Sequence, residues 1–152
     1  MKLEKEFQSE FTKSIKDYLK WSAYVYHKIS DQSQWAKPSD AFMMYWWQWR
    51  IIELKLHKKA TAFSFDKVER HQIHAMLQSE ESWNIWVLLI AVSVSWEKDY
   101  VLWFNIVDWD KFTSQHNRKS AKLDELKQCC SFLLTDRKNK VWDLSPMFNY
   151  FY

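Results

Sequence analysis

From Leu3 to Leu19 the apolar residues Leu3, Phe7, Phe11, Ile15 and Leu19 recur every four positions, with mostly polar residues between them. That spacing predicts an amphipathic helix with one buried face, and Glu10 lies beside that face. Residues 23–29 (AYVYHKI) are rich in strand formers, and the following DQSQWAKPS reads as a loop closed by Pro38. Asp40–Tyr45 and Arg50–Leu56 read as two strands, which puts Trp46-Trp47-Gln48-Trp49 at the turn of a hairpin. Ser64 is placed to cap a helix running to about Ser79, with Val68, Ile73, Met76 and Leu77 as its apolar positions. Asn84–Val94 (NIWVLLIAVSV) lacks polar alternation, as a strand covered on both faces does, and Tyr100–Val107 pairs with it through SWEKD. Short helices follow near Asp108–Ser114 and Ala121–Gln128, separated by the basic loop HNRKS, before a weakly patterned aromatic end. The order α-β-β-β-α-β-β-α predicts an α/β fold, a mixed sheet with helices packed on it. At 152 residues, with no repeat or linker, it reads as one domain spanning 1–152.

Composition adds one anomaly. Average usage of about 7% predicts roughly 11 glycines in such a chain; this one has none, and it has 11 tryptophans. No apolar run reaches the roughly 18 residues needed to span a bilayer, and the start MKLEKEFQSE lacks the apolar core of a secretion signal. Those two features imply a cytoplasmic protein with no membrane partner. The adjacent Cys129 and Cys130 give no disulfide framework and no zinc spacing, and read as reduced and structural. Net charge is only +3, yet Lys55, His57, Lys58, Lys59, Lys67, Arg70, His71 and His74 fall in one stretch and Arg118, Lys119, Lys122 and Lys127 in another. Each stretch is either a solvated face or a phosphate-binding surface.

The chemistry concentrates on the hairpin. Glu53 and Lys55, two apart on a strand, share a face, and Asp40 on the preceding strand can stand opposite them. Two carboxylates at short range repel unless a cation lies between them. Mg²⁺ suits such a pair because it takes oxygen ligands and keeps water and substrate phosphate as the rest. A lysine beside it can orient or deprotonate a bound water for attack on phosphorus. On the residues alone, a solvated E-x-K ion pair and a turn aspartate remain the competing reading.

The spacing of Pro38-Ser39-Asp40 and Glu53-Leu54-Lys55 resembles the PD-(D/E)xK nuclease superfamily, and the chain is most similar to bacterial RecU-type Holliday junction resolvases. The similar segments are YLKWSAYVYHK, IIELKLHKKATAFSFDKVERHQIHAM and DKFTSQHNRKSAKLDEL. Thr61, Phe63 and His71-Gln72-Ile73, with Arg118-Lys119-Ser120 and Asp124-Glu125-Leu126 downstream, are the specific part of the match. The resemblance implies a restriction-endonuclease-like core and a homodimeric endonuclease that needs Mg²⁺, with Mn²⁺ as a substitute, and nicks four-way DNA junctions in pairs. Asp40 and Glu53 would then be metal ligands, Lys55 the water-positioning base, and Gln72 and Thr61 organisers of the site or DNA contacts. Gln72 as a helix-surface residue and Thr61 as a local cap are the alternatives. Lys28, Lys58, Lys59, Arg70, Arg118 and Lys119 would meet DNA, with strand-end packing the alternative for His27-Lys28, while His71 would support the fold. The acid of the family's first helix would shift to Glu10, because Gln8 and Ser9 stand at the neighbouring positions. The family's long junction-engaging stalk is reduced here to DQSQWAKPS. A restriction-like or repair nuclease cutting ordinary duplex, and a DNA-structure-binding protein without activity, are the rival readings.

The family pattern and turn logic place glycine at the hairpin turn 46–49 and at Trp21, Trp35, Trp83, Trp86 and Trp96. A source that reads UGA as glycine, translated under another code, would give this exchange; Trp103, Trp109 and Trp142, in apolar company, read as tryptophan. The alternative is a chain using exposed indoles to stack on unpaired bases.

Overall fold

The structure, a computed structural model, describes residues 4–19, 24–28, 40–45, 48–80, 85–115, 117–135 and 137–146. Helix α1 is Glu4–Leu19, followed by strands β1 (Tyr24–Lys28), β2 (Ala41–Tyr45), β3 (Gln48–His57) and β4 (Phe63–Ser64). A 3-10 turn (Phe65–Lys67) leads to α2 (Arg70–Glu80), then β5 (Ile85–Val92), β6 (Tyr100–Asn105) and α3 (Ile106–Gln115). The chain closes with β7 (Ser120–Ala121), α4 (Leu123–Cys129) and the short strands β8 (Phe132–Leu134), β9 (Arg137–Lys138) and β10 (Val141–Trp142).

Six strands form one sheet in the order β1-β2-β3-β5-β6-β8. β3 is its seam, antiparallel to β2 and parallel to β5, with α2 in the crossover. Alternation along β3 and β5 divides the core in two. On one face Phe7, Phe11, Ile15 and Leu19 of α1 cover Ile52, Leu54, Val87, Leu89 and Trp103. On the other, residues of α2, α3 and α4 such as Met76, Trp109, Phe112 and Leu126 cover Leu88, Ile90, Leu102 and Phe104. The result is the mixed α/β sheet flanked by helices that the element order implies. Because β5 is buried on both faces, its residues 86–92 are apolar throughout.

Several boundaries differ from expectation. Tyr45 pairs with Gln48, so Gln48 and Trp49 belong to β3 rather than to the turn, and Trp49 lies against Phe42 with ring centroids 5.6 Å apart. Ser64 does not cap a helix: it pairs with Ser120 in a small β4–β7 ladder, its side chain makes no cap bond, and α2 starts only at Arg70. The same ladder holds Ala121 in a strand, which delays α4 to Leu123, where Glu125 Oε2 accepts the Lys122 N–H at 2.9 Å as half of a capping box. β8, β9 and β10 arise from an end whose pattern was too weak to read. Burial of Trp103, Trp109 and Trp142 agrees with their reading as tryptophan. Trp86, read as a glycine position, is also buried. Among the described residues positive φ occurs at Asn117, Asn139 and Lys140, so the backbone at Trp49, Trp86 and Trp96 makes no demand for glycine. Trp21, Trp35, Trp46, Trp47 and Trp83 lie outside the described residues. No helix among the described residues is long and apolar enough to cross a membrane.

Candidate active site

The β2–β3 ladder sets the first carboxylate. Asp40 donates its N–H to the Ile52 carbonyl (3.1 Å) and its Oδ2 accepts the Leu54 N–H (2.8 Å). The Ala41–Ile52 pairing then puts Asp40 opposite Glu53, on the same face of the sheet. Both are buried, Glu53 at 2% exposure and Asp40 at 7%. Lys55, two residues along β3, keeps 21% of its side chain exposed and forms the open side of the site.

Glu53 has two unlike oxygens. Oε1 takes the Lys55 ammonium at 2.6 Å and a hydrogen bond from Gln72 Nε2 at 3.2 Å. Oε2 is buried and has no hydrogen-bond partner among the described residues. Burial, and then the charge of Asp40, hold the Glu53 carboxyl above its usual range against the opposing pull of Lys55 and Gln72. Gln72 reaches Glu53 from the first turn of α2, and its Oε1 accepts the Glu69 N–H at 3.3 Å, so one amide both caps the helix and touches the carboxylate.

A buried carboxylate oxygen without a donor is costly unless a proton or cation joins it. Among the described residues no group of three His, Cys, Asp or Glu side chains converges as a metal site, so the protein donors here are two carboxylates. That set fits Mg²⁺, which is often held by one or two carboxylates with water and phosphate oxygens completing the shell. It is a poor set for zinc, whose sites draw on sulfur and imidazole. The free thiols add nothing to it: burial pushes Cys130 up to about 11, leaving it a protonated thiol at neutral pH.

Asp40, Glu53, Lys55 and Gln72 are thus brought together, and the other expected residues fall elsewhere. Glu10 is not at the site. It lies on α1, which covers the opposite face of the sheet, and its Oε1 is 3.5 Å from Arg137, which also holds Asp99 at 2.8 Å. The helical period put Glu10 beside the buried face, but the sheet separates that face from Glu53. Thr61 is exposed and serves through its carbonyl, which bonds His57 Nε2 at 2.8 Å, rather than as a cap. His71 does not support the fold from within: its side chain is 66% exposed and pairs with Glu69 at 3.2 Å.

Lys58 and Lys59 lie in the loop after β3. Arg70, Arg118 and Lys119 converge, from the two basic stretches of the sequence, on a cleft of about 920 Å³ between α2 and α3. Asp66, Glu69 and Asp110 share that cleft, so its charge is mixed, and Arg118 is paired with Glu125 at 2.9 Å. The Lys28 side chain and residues 30–39, where a stalk would stand, lie outside the described residues.

Sequence reasoning placed His57 and Lys67 in a basic stretch but gave neither a role of its own. His57 shares the face of Glu53 and Lys55 by the same two-residue parity, a signal that was readable. It is 2% exposed, with Lys67 Nζ 3.3 Å from its Nδ1. Glu4, at the start of α1, is the acid of that helix whose charge reaches Lys67.

No protein-family model matches the chain, and no curated protein matches it. Among solved structures it is similar to Hjc of Archaeoglobus fulgidus, a Holliday junction resolvase from an archaeal hyperthermophile, at 12% identity and a TM-score of 0.45, covering 79% of this chain and 92% of that one.

Proposed function

We propose that the protein is a Mg²⁺-dependent DNA endonuclease of the RecU-like kind, acting on branched DNA as a homodimer in recombination, repair or phage DNA processing. The observation that carries the reading is Glu53: a buried carboxylate with Lys55 on one oxygen, no partner on the other, and Asp40 beside it. A structural ion pair has no need of the second carboxylate or of the orphan oxygen, whereas a metal-assisted phosphodiester hydrolase needs both.

Asp40 and Glu53 would hold the metal, which when bound supplies positive charge to a phosphoryl oxygen and acidity to water. Lys55 keeps its ammonium at the open side of the pair, where its N–H groups can orient an attacking water; it could serve as base toward that water only after giving up a proton of its own. Gln72 fixes the Glu53 carboxylate plane, and the Asp40 bond to the Leu54 amide fixes the other carboxylate against the same strand. Two strands cut symmetrically require two such sites, which a C2 dimer provides.

Incubating purified protein with Mg²⁺, a labelled four-way junction and an ordinary duplex tests the reading. Paired nicks in the junction, lost in Asp40→Asn and Glu53→Gln, support it. Equal cutting of duplex would move the protein to a restriction-like or repair role, binding without cutting would make it a structure-binding protein, and undiminished cutting in both variants would remove the site.

A further inference from the structure

We propose that Lys67, held by His57, forms a binding site for a DNA phosphate at the C-terminal end of β3, the strand that carries Glu53 and Lys55. The identity of the anion rests on the functional reading above; the site rests on its own geometry. His57 ends β3, and its carbonyl accepts the Ser93 N–H at 3.0 Å, so its backbone is fixed by the sheet. Its ring is buried, edge-on to Phe63 at 5.5 Å between centroids. Lys67 Nζ stands 3.3 Å from Nδ1 and 5.2 Å from the centroid of that same phenyl ring.

The charge on Lys67 selects the ring's tautomer. An ammonium has no acceptor, so Nδ1 must accept from Lys67, which puts the ring proton on Nε2, where the Thr61 carbonyl receives it at 2.8 Å. The imidazole is neutral and orients the lysine without cancelling its charge. Among the described residues no carboxylate makes an ion pair with Lys67. Burial, then the charge of Lys59, make its ammonium easier to deprotonate, and Glu4 opposes them from a distance. An ammonium fixed by a hydrogen bond to a neutral ring, at the end of the strand that carries Glu53 and Lys55 and with its charge uncancelled by that bond, is placed to meet an anion. The anion that DNA offers is the phosphodiester oxygen.

Binding of the full chain to labelled duplex and four-way junction, in EDTA over a series of salt concentrations, decides the matter. Lys67→Met is expected to weaken binding about fivefold to tenfold at low salt and to lower the slope of log affinity against log salt by about one, with Lys67→Arg keeping both. His57→Gln can still donate to Thr61 but offers Lys67 no acceptor where Nδ1 stood, and should behave like Lys67→Met. His57→Asn places an oxygen near Nδ1 and should bind nearly as the parent does. An unchanged slope in Lys67→Met overturns the site, and equal loss in both His57 variants overturns the positioning role. If the parent binds no DNA, the functional reading falls and the site is judged by the ¹⁵N shift of the Lys67 ammonium on adding inorganic phosphate. No shift there overturns it as well.

Discussion

Gln72 Nε2 donates to Glu53 Oε1 at 3.2 Å, joining the first turn of α2 to the middle of β3. The bond lets a helix outside the hairpin set the orientation of a carboxylate inside it. Gln72→Leu should therefore slow junction cleavage by about 10- to 100-fold, the range for loss of a group that orients a metal ligand. Loss of the Glu69 cap should cost stability no more than about 1 kcal/mol. Cleavage rates and urea midpoints measured side by side check this; a rate loss matched by general unfolding would assign Gln72 to the fold alone.

Glu53 should make the metal-free protein less stable as pH rises. Its folded pKa is raised above 4.5 by burial and by Asp40. Between 4.5 and that raised value the folded chain keeps a proton that the unfolded chain has released, so stability falls with increasing pH across the window. Excess Mg²⁺ should restore it, and Glu53→Gln should remove both the slope and the response to metal. Urea unfolding over a pH series, with Mg²⁺ or with EDTA, reads each effect. A metal-independent midpoint in the parent would count against the ligand assignment.

His57 contributes with the opposite sign. Burial holds its folded pKa below 6.5, with the Thr61 carbonyl opposing and the Lys67 charge assisting. The unfolded chain then binds the extra proton first, and stability is lost as pH falls from 6.5 through the folded value. Because this slope runs against that of Glu53, each is read as the difference between parent and variant. Replacing His57 by Asn should remove the acid-side loss; an identical profile in parent and variant would show the ring to titrate normally.

The Asn139-Lys140 turn between β9 and β10 has φ of 52° and 61° at its two residues. A two-residue hairpin of this form favours Asn-Gly, and a lysine there bears the left-handed penalty that glycine escapes. Lys140→Gly should stabilise the protein by about 1 kcal/mol, or raise Tm by about 2–4 °C. The Tyr45–Gln48 pairing leaves two residues, Trp46 and Trp47, in the β2–β3 connection. Trp46 and Trp47 lie outside the described residues, and the gene is the test there: UGA codons at positions 46, 47 and 49 would support the recoding. UGG there would remove the recoding idea.

How much of this was legible depended on period. Helix α1 and strand β5 were plain because their apolar spacing is strong and uninterrupted, and the β2–β3 face could be read from the parity of Glu53 and Lys55. Ser64 misled because a capping residue is also a good ladder residue, and the choice was made by Ser120, far away in sequence. Glu10 misled for a related reason: helical period places a residue relative to its own helix, while the sheet decides what lies on the far side. The basic stretch marked Lys67 only as one cation among several, since its partner His57 acts through a ring whose tautomer only tertiary contacts select.

Side chains alternate across β3, and the Asp40–Leu54 bond pins its alignment with β2. Adding or deleting one residue within β3 ahead of Glu53, with the pairing to β2 kept up to that point, would turn Glu53 and Lys55 into the apolar layer under α1 and bring Ile52 or Leu54 to the reacting face. A change of two residues would preserve both faces. Lineages carrying this hairpin should therefore vary the paired length of β3 ahead of Glu53 in even steps, with odd steps eliminated as misfolded and inactive at once.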